Sequence, residues 1–377
     1  MQFNKIIGQA ALKARLIGNI REGRVPHAQF FLGPRGSGVL PLALAYATYL
    51  FCEHPGEGDS CGRCNACKMM AKLAHPDLNM AFPIFFVDKK PRTCDYYTED
   101  WRDAVLEEPY LDADQWRERL KGENKQLRMG VDIAGEMLRK LSLKAFRGGW
   151  KVMLIWLPEM MDPLMANKIL KVLEEPAPGT VFLLAGHTHD RILPTILSRT
   201  QLVKVPALDP GELASALQER YPELASETAR HIAARSEGDL LEAMAMAEGR
   251  EEEVFVFLRD WLRACYAGKM GEVVAFTDYF AKMGREKQKG LMRYALYVIR
   301  QALLQRQDLP QLIASFGEEM EFVRKFGALL DAWATEGLRR ALEEAHAQLE
   351  RNANPKVLFL DLSYALGTLM RPERHLA

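Results

Sequence analysis

Four cysteines, a glycine-rich loop and one arginine carry the chemistry open to this chain. Cys52, Cys61, Cys64 and Cys67 follow the spacing C-x8-C-x2-C-x2-C. Four thiolates are enough for a closed tetrahedral zinc site. An iron–sulfur site also uses four cysteines, but this spacing fits neither common ferredoxin pattern. Free buried cysteines are the plain alternative. Cys94 and Cys265 are isolated. In a reducing cytosol a cluster reads as a metal site before it reads as disulfides. His75, His187 and His189 are candidate extra ligands, although lone histidines in such places are more often hydrogen-bonded residues.

Residues 33–40 read Gly33-Pro34-Arg35-Gly36-Ser37-Gly38-Val39-Leu40. The glycines have the spacing of a phosphate loop, G-x-x-x-x-G-K-[ST]. Val39 stands where the phosphate-binding lysine belongs and Leu40 where the magnesium-binding hydroxyl belongs. Hydrogen bonds to charged groups contribute roughly 1.5–3 kcal/mol each. Losing both side chains therefore costs orders of magnitude in affinity and nearly all hydrolysis. The backbone around Gly33, Gly36 and Gly38 could still cradle a phosphate at a helix N-terminus. On spacing alone the segment is equally a glycine-rich turn between strand and helix.

A second sign points the same way. In a working site, acids that hold magnesium follow directly after an apolar strand. Here the strand Lys151–Ile155 runs into Trp156 and Leu157, and Glu159 arrives two residues late. Coincident loss favours a dead nucleotide site over a chance turn, so ATP is not expected as a cofactor.

The third motif is Leu193-Pro194-Thr195-Ile196-Leu197-Ser198-Arg199-Thr200, between two strand-like runs. An arginine offered to a neighbour's γ-phosphate raises the rate by about 10³–10⁵ in the GTPase case. By chemistry alone Arg199 is first a surface arginine in a short turn.

The elements that would position these groups are legible as periodicity. Continuous apolar runs at 28–32, 78–82, 152–156, 180–185 and 201–205 alternate with helical segments at 38–50, 131–142 and 162–174. This is the pattern of a parallel sheet covered on both faces, an α/β doubly wound core. The run Ala166–Pro176 reads as an amphipathic helix stopped by proline. Residues 84–127 interrupt the rhythm with Lys89-Lys90-Pro91-Arg92, acidic and aromatic residues around Trp101, and a helical stretch near 112–120. They read as an insertion, either a surface excursion or a partner-docking element. Val205–Pro210 marks a boundary. Beyond it every periodic segment is helical, near 251–266, 269–282, 286–306, 310–333, 335–351 and 355–370.

Composition narrows the class. The 377 residues suffice for two or three domains. Fifty basic and fifty acidic side chains balance. A free-standing DNA-binding protein usually carries a basic excess, so any nucleic-acid contact is expected to be shared with partners. No apolar run reaches the roughly 20 residues that span a bilayer, and residues 1–16 lack a signal-peptide core. A cytoplasmic location is expected, with no membrane partner.

Taken together, these segments resemble the clamp-loader branch of the AAA+ ATPases. The matched pieces are Ile6-Ile7-Gly8-Gln9, Val25-Pro26-His27-Ala28, the 33–38 loop, the four cysteines, His75-Pro76-Asp77, the 166–176 helix ending Leu-Glu-Glu-Pro, and Pro194–Arg199. Asn352-Ala353-Asn354-Pro355 is a weaker local similarity. The resemblance implies an AAA+ core at 1–205 with a zinc module at 52–67, a helical lid at 206–250 and a helical collar at 251–377. It implies a non-motor flanking subunit, working with gamma/tau-type motor subunits and a delta subunit. That assembly opens a ring-shaped sliding clamp and places it on primed DNA. It assigns Arg199, supported by Ser198, to the ATP site of the adjacent motor subunit. Thr200 departs from the family's cysteine at the next position. In the lid, Leu241 falls where motor subunits carry a sensor arginine. The competing readings are a motor subunit of the same complex, which intact Lys and Thr at positions 39 and 40 would favour, and a zinc-containing DNA-binding module, which the neutral charge disfavours.

Overall fold

Strands β3 (Lys151–Trp156) and β4 (Thr180–Gly186) are buried at every position, as central parallel strands must be when helices cover both faces. They belong to a five-stranded parallel sheet of order β2-β3-β4-β1-β5, completed by β1 (Ala28–Leu32), β2 (Leu78–Ala81) and β5 (Gln201–Lys204). Phe31 lies opposite Ala185 across the β1–β4 pair, and Leu32 opposite Gly186. The sequence places all five strands, to within a residue or so at their ends. The edge strand β5 is mostly exposed, and only Val203 of its four residues is buried.

The computed structural model describes residues 1–87, 91–122, 126–146, 149–307, 309, 315, 317–351 and 353–371. Lys89, Lys90 and Asn352 lie outside them. The chain forms two compact units, Met1–Ala247 and Glu248–Ala377.

The first unit also holds α1 (Ala10–Arg21), α2 (Val39–Phe51), α3 (Asn65–Met70), α4 (Thr98–Glu107), α5 (Ala113–Arg119), α6 (Val131–Ser142), α7 (Pro163–Glu174) and α8 (Pro194–Leu197), with α2 packed on β1, β3 and β4 and α6 on β2. Helix α2 is buried along its whole length, so it is a core element. Helix α1 lacks an outward sequence signal: its N-cap is Gln9, in a left-handed conformation with no side-chain cap. Asp162 caps α7 by accepting from the Met165 N–H at 2.7 Å, and Pro163 opens its first turn.

The described part of the 84–127 segment is anchored in the core and is not a surface excursion. Trp101 stacks on Phe82 with centroids 4.9 Å apart, and Trp116 meets the same ring edge-on at 5.5 Å. Both tryptophans are fully buried in the main core, and Trp116 Nε1 donates to the Pro83 carbonyl at 2.7 Å. Burying two tryptophans anchors the segment more strongly than its acidic residues can draw it into solvent.

Helices α9 (Pro210–Arg220), α10 (Ser226–Arg235) and α11 (Leu240–Ala247) complete the first unit. They share a cluster of their own around Leu213, Leu217, Ile232 and Met244. The second unit contains α12 (Arg250–Ala267), α13 (Met270–Lys282), α14 (Arg285–Arg306), α15 (Gly317–Leu329), α16 (Ala332–Glu350) and α17 (Pro355–Leu369). Phe359 stacks between Trp261 and Phe280 at 4.4 and 4.0 Å. Helix α16 starts three residues before the 335 read from periodicity, because Asp331 caps it through the Ala334 N–H.

Candidate functional site: the phosphate loop, the cysteine cluster and Arg199

The glycine-rich loop has the phosphate-loop form. It leaves β1, passes Gly36 at φ +71° and Gly38 at φ +92°, and enters α2. Both glycines hold left-handed backbone that a side chain would strain. Gly33 donates its N–H to the Gly186 carbonyl, and its own carbonyl lies 3.0 Å from His187 Nδ1, which must therefore carry the proton. Ser37 is fully buried and donates to the Pro34 carbonyl at 2.6 Å.

What surrounds this loop is the chain itself. Arg35 Nε lies 3.0 Å from Asp239 Oδ2 and 3.4 Å from Asp112 Oδ2. Burial works against the guanidinium charge, but Asp239 and then Asp112, Glu242 and Asp114 outweigh it and raise its pKa. A Cβ on Gly36 would stand 2.2 Å from Asp239 Oδ1, and one on Gly38 would stand 3.0 Å from the Tyr110 ring. Tyr110 is buried, and its phenol oxygen accepts from the Ile7 N–H at 2.9 Å. Burial pushes that phenol up to about 12. Asp112 caps α5 in a reciprocal box with Gln115, and Asp239 caps α11 through the Leu241 and Glu242 amides. Nearby, Arg220 of α9 pairs with Glu108 at 2.9 Å. The segment 108–112 therefore packs between the loop and α9–α11.

The positions that would hold lysine and hydroxyl, Val39 and Leu40, are buried in the core. So are Trp156 and Leu157 at the end of β3, with Leu157 at φ +54°. Leu241 packs into the α9–α11 cluster. Glu159, two residues late in sequence, turns back to the C-terminal end of the sheet. Its Oε1 accepts from the His187 N–H at 2.9 Å, while Oε2 is buried with no hydrogen-bond partner among the described residues. Burial raises its pKa.

The cysteine cluster forms as its spacing implies. Cys52 follows α2, Cys64 caps α3, and Cys61 and Cys67 complete the group. All four sulfurs lie within 4.8 Å of one another. A zinc ion at about 2.3 Å from each would set them roughly 3.8 Å apart, so the cluster fits a tetrahedral ion after a small contraction. Backbone amides already face the sulfurs: Cys61 N–H to Cys52 Sγ at 3.2 Å, then Cys64 to Cys61 and Cys67 to Cys64 at 3.4 Å each. The amides of Arg63 and Cys64 draw the Cys61 thiol down to about 6, whereas burial pushes Cys67 and Cys52 up. Four thiols so close could hold a metal ion, which would take all of them as thiolates.

The three histidines stand apart from this group. His75 stacks on Phe51 at 4.0 Å and accepts from the Asp77 N–H, His187 serves the loop, and His189 is exposed beside Asp190. The cysteine turn also holds the N-terminus, where Asp59 accepts from the Phe3 and Asn4 amides.

Arg199 sits between α8 and the edge strand β5, partly exposed. Its Nε and Nη2 donate to Glu174 Oε2, and its Nη1 donates to the Thr195 carbonyl at 3.0 Å. Ser198 Oγ donates to the same carbonyl at 3.1 Å. The loop and the cysteine cluster are in the same unit but form separate sites.

Sequence reasoning passed over Arg35, Tyr110, Asp112, Asp239 as a loop partner, and Glu174 as the partner of Arg199. Only the Asp112–Gln115 spacing, a capping-box signature, offered a local signal.

A parallel sheet with β1 between β4 and β5, a phosphate-type loop after β1 and a following group of three helices defines an AAA+ core, here with a metal-competent cysteine module. A family model described as "DNA polymerase III, delta subunit" matches residues 8–209, and the chain belongs to that family. Similar proteins include the DNA polymerase III subunit delta' of Pseudomonas aeruginosa, 32% identical over 228 residues, 59% of this chain and 57% of that one. The subunit delta' of Escherichia coli is 30% identical over 188 residues, 50% and 45% of the two chains. The subunit tau of Escherichia coli is 27% identical over 250 residues, 65% and 32%. The chain spans about half the length of the delta' relatives it matches. Among the described residues no helix is long and apolar enough to cross a membrane.

Proposed function

We propose that this chain is a delta-prime-type subunit of the clamp loader of a bacterial DNA polymerase III holoenzyme. It hydrolyses no ATP itself and supplies Arg199 to a neighbouring motor subunit while the sliding clamp is placed on primed DNA. The observation that carries this reading is the closure of the phosphate loop by the chain's own residues. Asp112 and Asp239 put two carboxylates beside the loop, where a triphosphate would be repelled. Tyr110 fills space against Gly38, and neither a lysine nor a magnesium-binding hydroxyl is available at positions 39 and 40.

Arg199 is placed differently. It lies partly exposed at the edge of the sheet, as a group used by another subunit must. A guanidinium directed at a transferring phosphoryl group neutralises the charge that spreads over its oxygens in the transition state. Ser198 holds the turn that presents it, through its bond to the Thr195 carbonyl.

The metal of the cysteine module is, in this reading, structural zinc held by Cys52, Cys61, Cys64 and Cys67. Four protein ligands leave no open position, so the ion would supply bracing and no chemistry. The 1–205 core, the 206–250 lid and the 251–377 collar act as the family's three domains, the collar joining the motor and delta subunits.

The likeness to tau keeps one other reading in view, a motor subunit. The buried Val39, Leu40, Trp156, Leu157 and Leu241 stand against it, since five separate changes would be needed to restore nucleotide chemistry. Co-purification with gamma/tau and delta subunits, followed by ATPase assay of the isolated chain and of the assembly, tests the proposal. The chain alone should be inactive and should join the complex. Intrinsic ATP hydrolysis, or failure to assemble, would overturn it.

A further inference from the structure

Helix α7 ends at Glu174, and the side chain of that residue reaches Arg199, which lies 25 positions later. Nε and Nη2 both donate to the single oxygen Oε2, at 2.9 and 2.7 Å. On the other side Nη1 donates to the Thr195 carbonyl at 3.0 Å and approaches Ser198 Oγ at 3.5 Å. An arginine has five N–H donors in one rigid plane. The fork is thus gripped along its Nε–Nη2 side, and Nη2 keeps a second N–H beyond the Glu174 bond.

We propose that Glu174 is the positioning residue for Arg199, fixing the plane and reach of the guanidinium before a neighbour's ATP meets it. The inference rests on the arginine-finger reading above. A long exposed arginine otherwise samples many rotamers, and ordering it in the reaction step slows the step. Glu174 orders it beforehand, because α7 and α8 pack together and fix the carboxylate relative to residues 195–199. The pair is partly exposed, with side chains 31% and 54% accessible. Exposed pairs are weak and screened by salt. A triphosphate carries more charge than one carboxylate, so the fork can turn its remaining donors to phosphate while Glu174 keeps its side.

The test uses the full-length chain reassembled with motor and delta subunits, sliding clamp and primed DNA. Turnover and the KM for ATP are measured separately for Glu174→Ala, Glu174→Gln, Arg199→Ala and the Glu174→Ala/Arg199→Ala double variant. Glu174→Ala should lower kcat by part of the loss that Arg199→Ala causes, as a misplaced group does, with KM and assembly unchanged. Glu174→Gln keeps an acceptor oxygen and should recover part of the loss. The double variant should be no slower than Arg199→Ala. Wild-type kcat in Glu174→Ala, or losses that multiply in the double variant, would overturn the positioning role while Arg199→Ala remained slow. Wild-type kcat in Arg199→Ala itself would instead remove the finger reading, and this inference with it.

Discussion

Arg35 of the phosphate loop and Asp239 at the start of α11 are joined by a 3.0 Å ion pair. Where a nucleotide would bridge the core and the α9–α11 helices of an ATPase, this chain uses its own charges. Asp239→Asn separates that role from capping, since asparagine caps a helix about as well as aspartate. The change should destabilise the protein by up to about 1 kcal/mol, as loss of a partly exposed ion pair does. Arg35 would retain Asp112. Urea unfolding at neutral pH measures this. Unchanged stability would mean that the pair does not tie the loop to α11.

Tyr110 makes the second tie. Tyr110→Phe keeps the ring against Gly38 and leaves the Ile7 N–H without its acceptor, at an expected cost of about 1–3 kcal/mol. Amide exchange at Ile7 should accelerate in the variant. There is also a pH signature. The folded phenol is pushed up to about 12, above the ordinary value near 10. Between those values the unfolded chain gives up this proton and the folded chain keeps it, so stability falls as pH rises through that window. Comparing Tyr110→Phe with the native chain across that window should show a shallower decline in the variant. Equal slopes would contradict the burial of this group.

The cysteine cluster should carry about one equivalent of zinc when the protein is purified without chelators, as expected of four thiolates that can close on a tetrahedral ion. Less than about half an equivalent would reject the site. Cys61→Ser should lose the metal and loosen the turn that holds Phe3 and Asn4 through Asp59. Lowering the pH should release zinc, because protons compete for the thiolates. Metal analysis of the native and variant chains over a pH series checks both points.

The strands were legible because β3 and β4 are unbroken apolar runs, and α6 because its period is strong. The cysteine cluster was legible because its four members are close in sequence. The closure of the phosphate loop was not. Its partners, Ile7 with Tyr110 and Arg35 with Asp239, are distant in the chain, and a single sequence carries no sign of such pairings. The 84–127 segment misled for a related reason: charged residues on either side of Trp101 and Trp116 look solvated until both rings are seen under the sheet. Glu159 shows the limit of counting. Two residues late for a magnesium ligand, it still returns to the end of the sheet through the left-handed turn at Leu157.

The most direct measurement of the central proposal is ATP turnover by a loader reassembled with Arg199→Ala. Arginine fingers elsewhere contribute about 10³–10⁵ in rate to their site. Only one of the loader's ATP sites would lose its arginine, so total turnover should fall without being abolished. The complex should assemble in full, and stimulation by clamp and primed DNA should weaken. Normal clamp- and DNA-stimulated turnover from the fully assembled variant would contradict the role given to Arg199.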